Sequence, residues 1–200
     1  MSSGPSGVGV TTEVGRLRTV LLHRPGPELS RLTPRNNADL LFDGLPWVAR
    51  AQEEHDGFAE ALRSRGVEVL YLHDLLVTAL DRPDARGEVV RTAVSPTVVG
   101  PTLAAVLRQW LLELPSADLA RVLAAGLTHD ELPRRGPEGV VARLAGPGDF
   151  VLRPLPNLLF TRDTSVLVAD HVAITSPSMR ARQRETSLTG AIFTHHPRFA

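Results

Sequence analysis

The sequence contains no cysteine, which excludes disulfides, thiolate metal sites and a thiol nucleophile within its 200 residues. It contains no lysine either: all 22 basic residues are arginine, a bias that lowers the weight of any single arginine as a functional signal. These are balanced by 22 acidic residues, so the formal charge is zero and no electrostatic argument favours nucleic acid or an anionic membrane. No apolar run approaches the roughly 20 residues that cross a bilayer. The start, MSSGPSGVGVTT, lacks both the basic flank and the apolar core of a signal peptide. Together these absences predict a cytoplasmic protein with no nucleic acid and no membrane among its partners, and a flexible tail over residues 1–12.

What is present is a hydrophobic content of 42%, enough for one large domain or two small ones with real cores. Residues 16–23, RLRTVLLH, alternate as a strand, and Pro25-Gly26-Pro27 ends it. From Pro46, the positions Trp47, Ala51, Phe58 and Leu62 recur at helical spacing among acidic residues, predicting an amphipathic helix that closes near Gly66. Val67 to Leu72 alternates as a second strand, so residues 13–75 read as one α/β module. Residues 76–148 read as an all-helical insert: Leu103, Val106, Leu107, Trp110 and Leu111 follow a 3.6 period, Leu119, Val122, Leu123 and Leu127 repeat it, and Thr128 with Glu131 has capping-box spacing.

Strand signals return in residues 149–200. They fall at 150–152, 157–160, 165–168 and 171–175 with a turn at Asp170, followed by a short helix over 179–186 and a further strand at 191–193. This is the start of a second α/β module, and a strand that opens just before the last residue predicts an N-terminal part of something longer.

The segment Leu155 to Val166, LPNLLFTRDTSV, gathers an amide, an aromatic ring and a carboxylate: Asn157, Phe160 and Asp163. A guanidinium is planar, with five donors in a fixed fork. A carboxylate can therefore take its edge and an aromatic face can lie against its plane. An arginine-like ligand also carries a carboxylate, and Arg180, Arg182 and Arg184 in MRARQRET supply cations nearby. Each residue has a plainer reading. Asp163 caps a turn or pairs with Arg162, the three arginines form a solvated face, Phe160 and Leu41 are core, and Asn157 after Pro156 is a turn residue. His23 reads as a satisfied structural histidine. His195-His196 has no companion at metal-ligand spacing, so neither metal nor cofactor is expected.

With EVGRLRTVLLHRPGPEL and LTPRNNADLLFDGLPWV upstream, NLLFTRD and then ARQRET about twenty residues later, the chain resembles the arginine deiminase family. The resemblance implies a pentein fold, a five-bladed α/β propeller. This chain would hold its first module, part of the second, and the helical insert. It implies that Asp163 binds the substrate guanidinium, that Phe160 lies beside it and that Asn157 contacts the substrate. Arg182 would pair with the substrate carboxylate, and Leu41, in DLLFDG, would line the pocket. The implied substrate is L-arginine or a related guanidino compound, and the complete enzyme is expected to be a homo-oligomer.

In that family a cysteine thiolate attacks the guanidinium carbon, a histidine assisted by a glutamate protonates the departing ammonia, and water releases citrulline. Two aspartates hold the guanidinium throughout. The resemblance puts the cysteine, the histidine, its glutamate and the second aspartate beyond residue 200, so the isolated chain is expected to be inactive. A methylarginine hydrolase or an amidinotransferase shares the guanidinium-binding carboxylate, and a non-catalytic arginine-binding module would use the same pocket without chemistry.

Overall fold

In a computed structural model, residues 9–132, 146 and 148–199 are described. Strand β1 (Thr19–Leu22) pairs in parallel with β2 (Glu68–Tyr71), Thr19 facing Glu68 and Leu22 facing Tyr71. Parallel neighbours require a crossover, and helices α1 (Pro27–Ser30) and α2 (Val48–Arg63) lie within it. Helix α2 stops where Gly66 adopts φ 76°, a left-handed backbone that a side chain would oppose. There the amides of Gly66 and Val67 return to the carbonyls of Arg63 and Leu62.

Helix α3 (Leu72–Leu80) follows β2 directly, so the expected boundary at 75–76 falls inside a helix. Helices α4 (Pro83–Ala93), α5 (Pro96–Val99) and α6 (Pro101–Glu113) each start on a proline, whose fixed φ and missing N–H suit a first helical position. Helix α7 (Ser116–Ala125) completes this set. The two helical periods read from the sequence thus coincide with α6 and α7, except for Leu127, which lies in strand Leu127–Thr128. Of the expected insert, residues 133–145 and 147 lie outside the described residues.

Strand β3 (Leu127–Thr128) pairs antiparallel with β4 (Phe150–Leu152), and β5 (Ser165–Val168) forms a hairpin with β6 (His171–Ile174). Helix α8 (Glu185–His195) is the last helix among the described residues. The chain is therefore α/β, with three separate two-stranded pairs and no closed barrel among the described residues. Residues 1–8 lie outside the described residues. Val10, inside the expected tail, exchanges two backbone hydrogen bonds of 2.8 Å with Ala169 at the β5–β6 turn.

One core runs through α3, α6, α7 and α8. Leu72, Leu76, Leu80, Leu107, Leu111, Leu119 and Leu123 meet Leu155, Leu158, Leu188 and Ile192, all excluded from water. Burial of this kind is the main favourable term in folding. Here it makes the helical set and the segment carrying Asn157 and Asp163 parts of one packed body.

Four expectations change. The predicted strand over 157–160 is a 3₁₀ turn, Pro156–Leu159. Leu155 and Leu158 both enter the core, and a backbone with three residues per turn puts positions three apart on one side, which a strand does not. The predicted strand over 191–193 belongs to α8, because Leu188, Ala191 and Ile192 are buried together at i, i+3 and i+4 spacing. The short helix expected over 179–186 is a 3₁₀ turn at Arg180–Arg182, and α8 starts only at Glu185. Thr128 caps no helix among the described residues: it lies in β3, although its N–H does donate to Glu131 Oε2 at 2.9 Å.

Candidate functional site

The segment Asn157–Asp163 is pinned from both sides. The Thr161 hydroxyl donates to the carbonyl of Leu21 in β1 at 2.9 Å. The buried Asn157 side chain donates through Nδ2 to the carbonyl of Leu40 at 2.8 Å, fastening the loop that carries Leu41. Leu41 itself has φ 65°, a left-handed conformation that is uncommon for a residue with a branched side chain. It lines an open hollow of about 460 Å³ with Asn37, Ala38, Phe42 and Asp43.

Two successive 3₁₀ turns, Pro156–Leu159 and Thr161–Asp163, turn Phe160 and Asp163 outward while Leu158 faces the core. Phe160 stays 49% exposed and the Asp163 side chain 51%. A further 3₁₀ turn, Arg180–Arg182, brings Arg182 to them. Its Nη1 donates to Asp163 Oδ2 at 2.6 Å, and its guanidinium carbon stands 5.8 Å from the centre of the Phe160 ring. Asp163 thus pairs with Arg182 rather than with Arg162, which bonds Glu13 at 3.1 Å. One guanidinium N–H thus meets Asp163, and the guanidinium carbon stands near Phe160. The guanidinium found there is the chain's own.

Arg182 does not belong to a solvated face, since its side chain is only 14% exposed. Arg180 remains exposed, and Arg184 turns inward to donate to the carbonyls of Leu123 and Arg153 at 3.2 and 2.8 Å. Desolvation lowers the Arg184 pKa to about 10. Arg184 is partly exposed as a residue, so this reflects the packing of its guanidinium rather than of its whole side chain. Arg182 behaves differently. Burial disfavours its charge, but hydrogen bonds to Glu185 and Asp163 outweigh that and its pKa is raised.

Glu185 is the residue that reading by type did not single out. It is 0% exposed, and its Oε2 accepts from Arg182 Nε at 3.0 Å and from Nη2 at 2.9 Å. Burial pushes its carboxyl pKa up, against the opposing pull of Arg182. Its second oxygen, Oε1, has no hydrogen-bond partner among the described residues. The available signal was the i, i+3 spacing of opposite charges in ARQRET.

Asn157 joins the group through its backbone, whose carbonyl accepts from Arg182 Nη2 at 3.3 Å, while its side-chain Nδ2 serves Leu40. The structure therefore brings Asn157, Phe160, Asp163 and Arg182 together directly, and Leu41 through its neighbour Leu40.

A cavity of about 420 Å³ bounded by His23, Glu28, Gln52, Tyr71 and Arg121 shares no lining residue with this cluster. Several of its polar walls are bonded within the chain. His23 Nε2 meets Glu28 Oε1 at 3.1 Å, Arg24 makes two bonds of 2.7 and 2.8 Å to Asp56, and Gln52 donates to the Pro25 carbonyl.

The chain is similar to known proteins over most of its length. Residues 38–200 match the family described as arginine deiminase. Over 194 residues the chain is 60% identical to an arginine deiminase of Mycolicibacterium gilvum (strain PYR-GCK), covering 96% of this chain and 48% of that protein. It is 56% identical over 200 residues to one from Rhodococcus opacus (strain B4), covering 99% and 49%, and 54% identical over 195 residues to one from Mycobacterium tuberculosis (strain ATCC 25177 / H37Ra), covering 96% and 48%. The chain spans about half the length of the curated relatives it matches. Since the matched region runs from the Leu41 loop through Asp163 to Arg182 and Glu185, the chain belongs to the arginine deiminase family.

Proposed function

We propose that these 200 residues form one wall of the substrate site of an arginine deiminase, the enzyme that hydrolyses L-arginine to L-citrulline and ammonia. The observation that carries this reading is the guanidinium already seated on Asp163 and beside Phe160. In the complex, Asp163 accepts N–H bonds from the edge of the substrate guanidinium and Phe160 lies against its plane. Arg182 pairs with the substrate α-carboxylate, and Asn157 and Leu41 close the side of the pocket. The half-open state of Phe160 and Asp163 suits a wall that meets a second wall.

Hydrolysis then proceeds by addition of a thiolate to the guanidinium carbon and departure of ammonia, which takes its proton from a histidine. Water releases citrulline and restores the thiol. This chain contains no thiol, so the nucleophile comes from outside these 200 residues. What the wall contributes is orientation and charge. A carboxylate on the guanidinium edge keeps the cation in one rotational state, and holding reactants in one geometry is itself a large share of catalysis.

The fold proposed for the complete protein is the pentein propeller. Residues 13–75 give the first module, 76–148 a helical insert and 149–200 the start of the second. The β1–β2 pair with its crossover and the β5–β6 hairpin followed by α8 support this division. A cytoplasmic homo-oligomer is proposed with it. Among the described residues no helix is long and apolar enough to cross a membrane.

The test uses full-length protein, arginine as substrate and direct measurement of citrulline. Asp163→Asn keeps the size and removes the charge. Losing one member of a desolvated charge pair costs about 2–4 kcal/mol, or roughly 30- to 1000-fold in kcat/KM. Unchanged kcat and KM would refute the role of Asp163.

A further inference from the structure

We infer that Glu185 is a positioning residue for substrate carboxylate recognition, holding the inner edge of Arg182 so that only its outer edge faces the pocket formed by Asp163 and Phe160. The inference deepens the reading above and rests on it. Of the five N–H groups of the Arg182 guanidinium, the two on the Nε–Nη2 edge go to Glu185 Oε2, one goes to the Asn157 carbonyl and one to Asp163 Oδ2. The first pair is the buried pair. Glu185 is 0% exposed, and the side chain of Asp163 is half exposed. An incoming carboxylate therefore competes for the Nη1 side of Arg182, where the holder is exposed, and leaves the Glu185 side intact.

The geometry separates the two carboxylates by role. Asp163, released from Arg182, turns to the substrate guanidinium, while Arg182, still held by Glu185, takes the substrate carboxylate. Glu185 stands on the first turn of α8, whose Leu188, Ala191 and Ile192 are locked in the core, so the holder is fixed to rigid structure rather than to a loop. Its only hydrogen-bond partner among the described residues is Arg182, and its Oε1 is buried without one. Nothing in this arrangement brings Glu185 into contact with the substrate.

The experiment is done in full-length protein with arginine, and with agmatine, which lacks the carboxylate, as substrate or competitive inhibitor. Glu185→Gln keeps shape and removes the charge that fixes Arg182. KM for arginine is expected to rise at least about tenfold with kcat within about twofold, while the agmatine constants stay within about twofold. In an Arg182→Ala background, Glu185→Gln is expected to add less than about twofold, because a residue acting through another has nothing left to act on.

Equal losses for arginine and agmatine, or additive losses in the double variant, overturn the inference. Should Glu185→Gln fail to fold, Glu185→Asp retracts the same charge by one methylene and carries the same comparison. Wild-type protein that forms no citrulline from arginine refutes the proposed function itself and removes this inference with it.

Discussion

Replacing Asn157 by leucine tests whether the Leu41 loop is held in place by a single buried hydrogen bond. Leucine keeps the volume and removes the donor. The Leu40 carbonyl, on a residue only 3% exposed, then loses the 2.8 Å bond that joins two segments 117 residues apart. A buried acceptor left without a partner costs about 1–3 kcal/mol. That cost falls on docking of the loop rather than on the whole fold. The loop has its own small core of Leu29, Leu32 and Leu40, and its own turn bonds from Leu41 N to the Ala38 carbonyl and from Phe42 N to the Asn37 carbonyl. At about 1.4 kcal/mol per decade, the Leu41 and Phe42 amides are expected to exchange roughly 5- to 150-fold faster. Hydrogen–deuterium exchange read by mass spectrometry on peptides covering 33–46 measures this, with peptides from α3 and α7 as unchanged references. A folded Asn157→Leu protein with unaltered exchange at Leu41 and Phe42 would refute the reasoning and assign the loop's order to its own contacts.

Two further outcomes are expected. Purified residues 1–200, which contain no cysteine, are expected to form no citrulline from arginine, and turnover above a boiled control would overturn the assignment of the nucleophile to residues outside this chain. Arg31 bonds both oxygens of Glu131 at 2.7 and 3.0 Å and holds its carboxyl pKa down to about 2. A carboxylate lowered in the folded state gives stability that is complete above its unfolded pKa near 4.5 and fades as the pH falls toward 2. Because Glu131 is substantially exposed, the contribution is discounted to at most about 1 kcal/mol. Arg31→Ala should therefore lower the urea midpoint at pH 6 and leave it nearly unchanged at pH 2, and an equal loss at both would show that the effect comes from packing of Arg31 against Phe150.

Much of the secondary structure was legible because its signals are local. Strands β1, β2, β5 and β6 sit within the alternating runs that predict them, and α2, α6 and α7 within the 3.6-residue periods. The misreadings at 157–160 and 191–193 share one cause. Over three or four apolar residues, strand, 3₁₀ turn and helix present the same hydrophobic run, and the choice depends on which side meets the core. Leu155 and Leu158 needed to point one way, as did Leu188, Ala191 and Ile192, and the packed helices α3, α4 and α7 set that direction.

The site divides along the same line. By itself the sequence determined the chemical types: Asp163 as carboxylate, Phe160 as ring, Arg182 as cation and the absence of any thiol, because these are properties of side chains and of their order along the chain. Tertiary structure decided the pairings. It turned Arg182 inward onto Asp163, drew Asn157 to Leu40 across 117 residues and buried Glu185 behind Arg182. Those partners are chosen by which groups are desolvated together, and desolvation is a property of the packed fold rather than of any stretch of sequence.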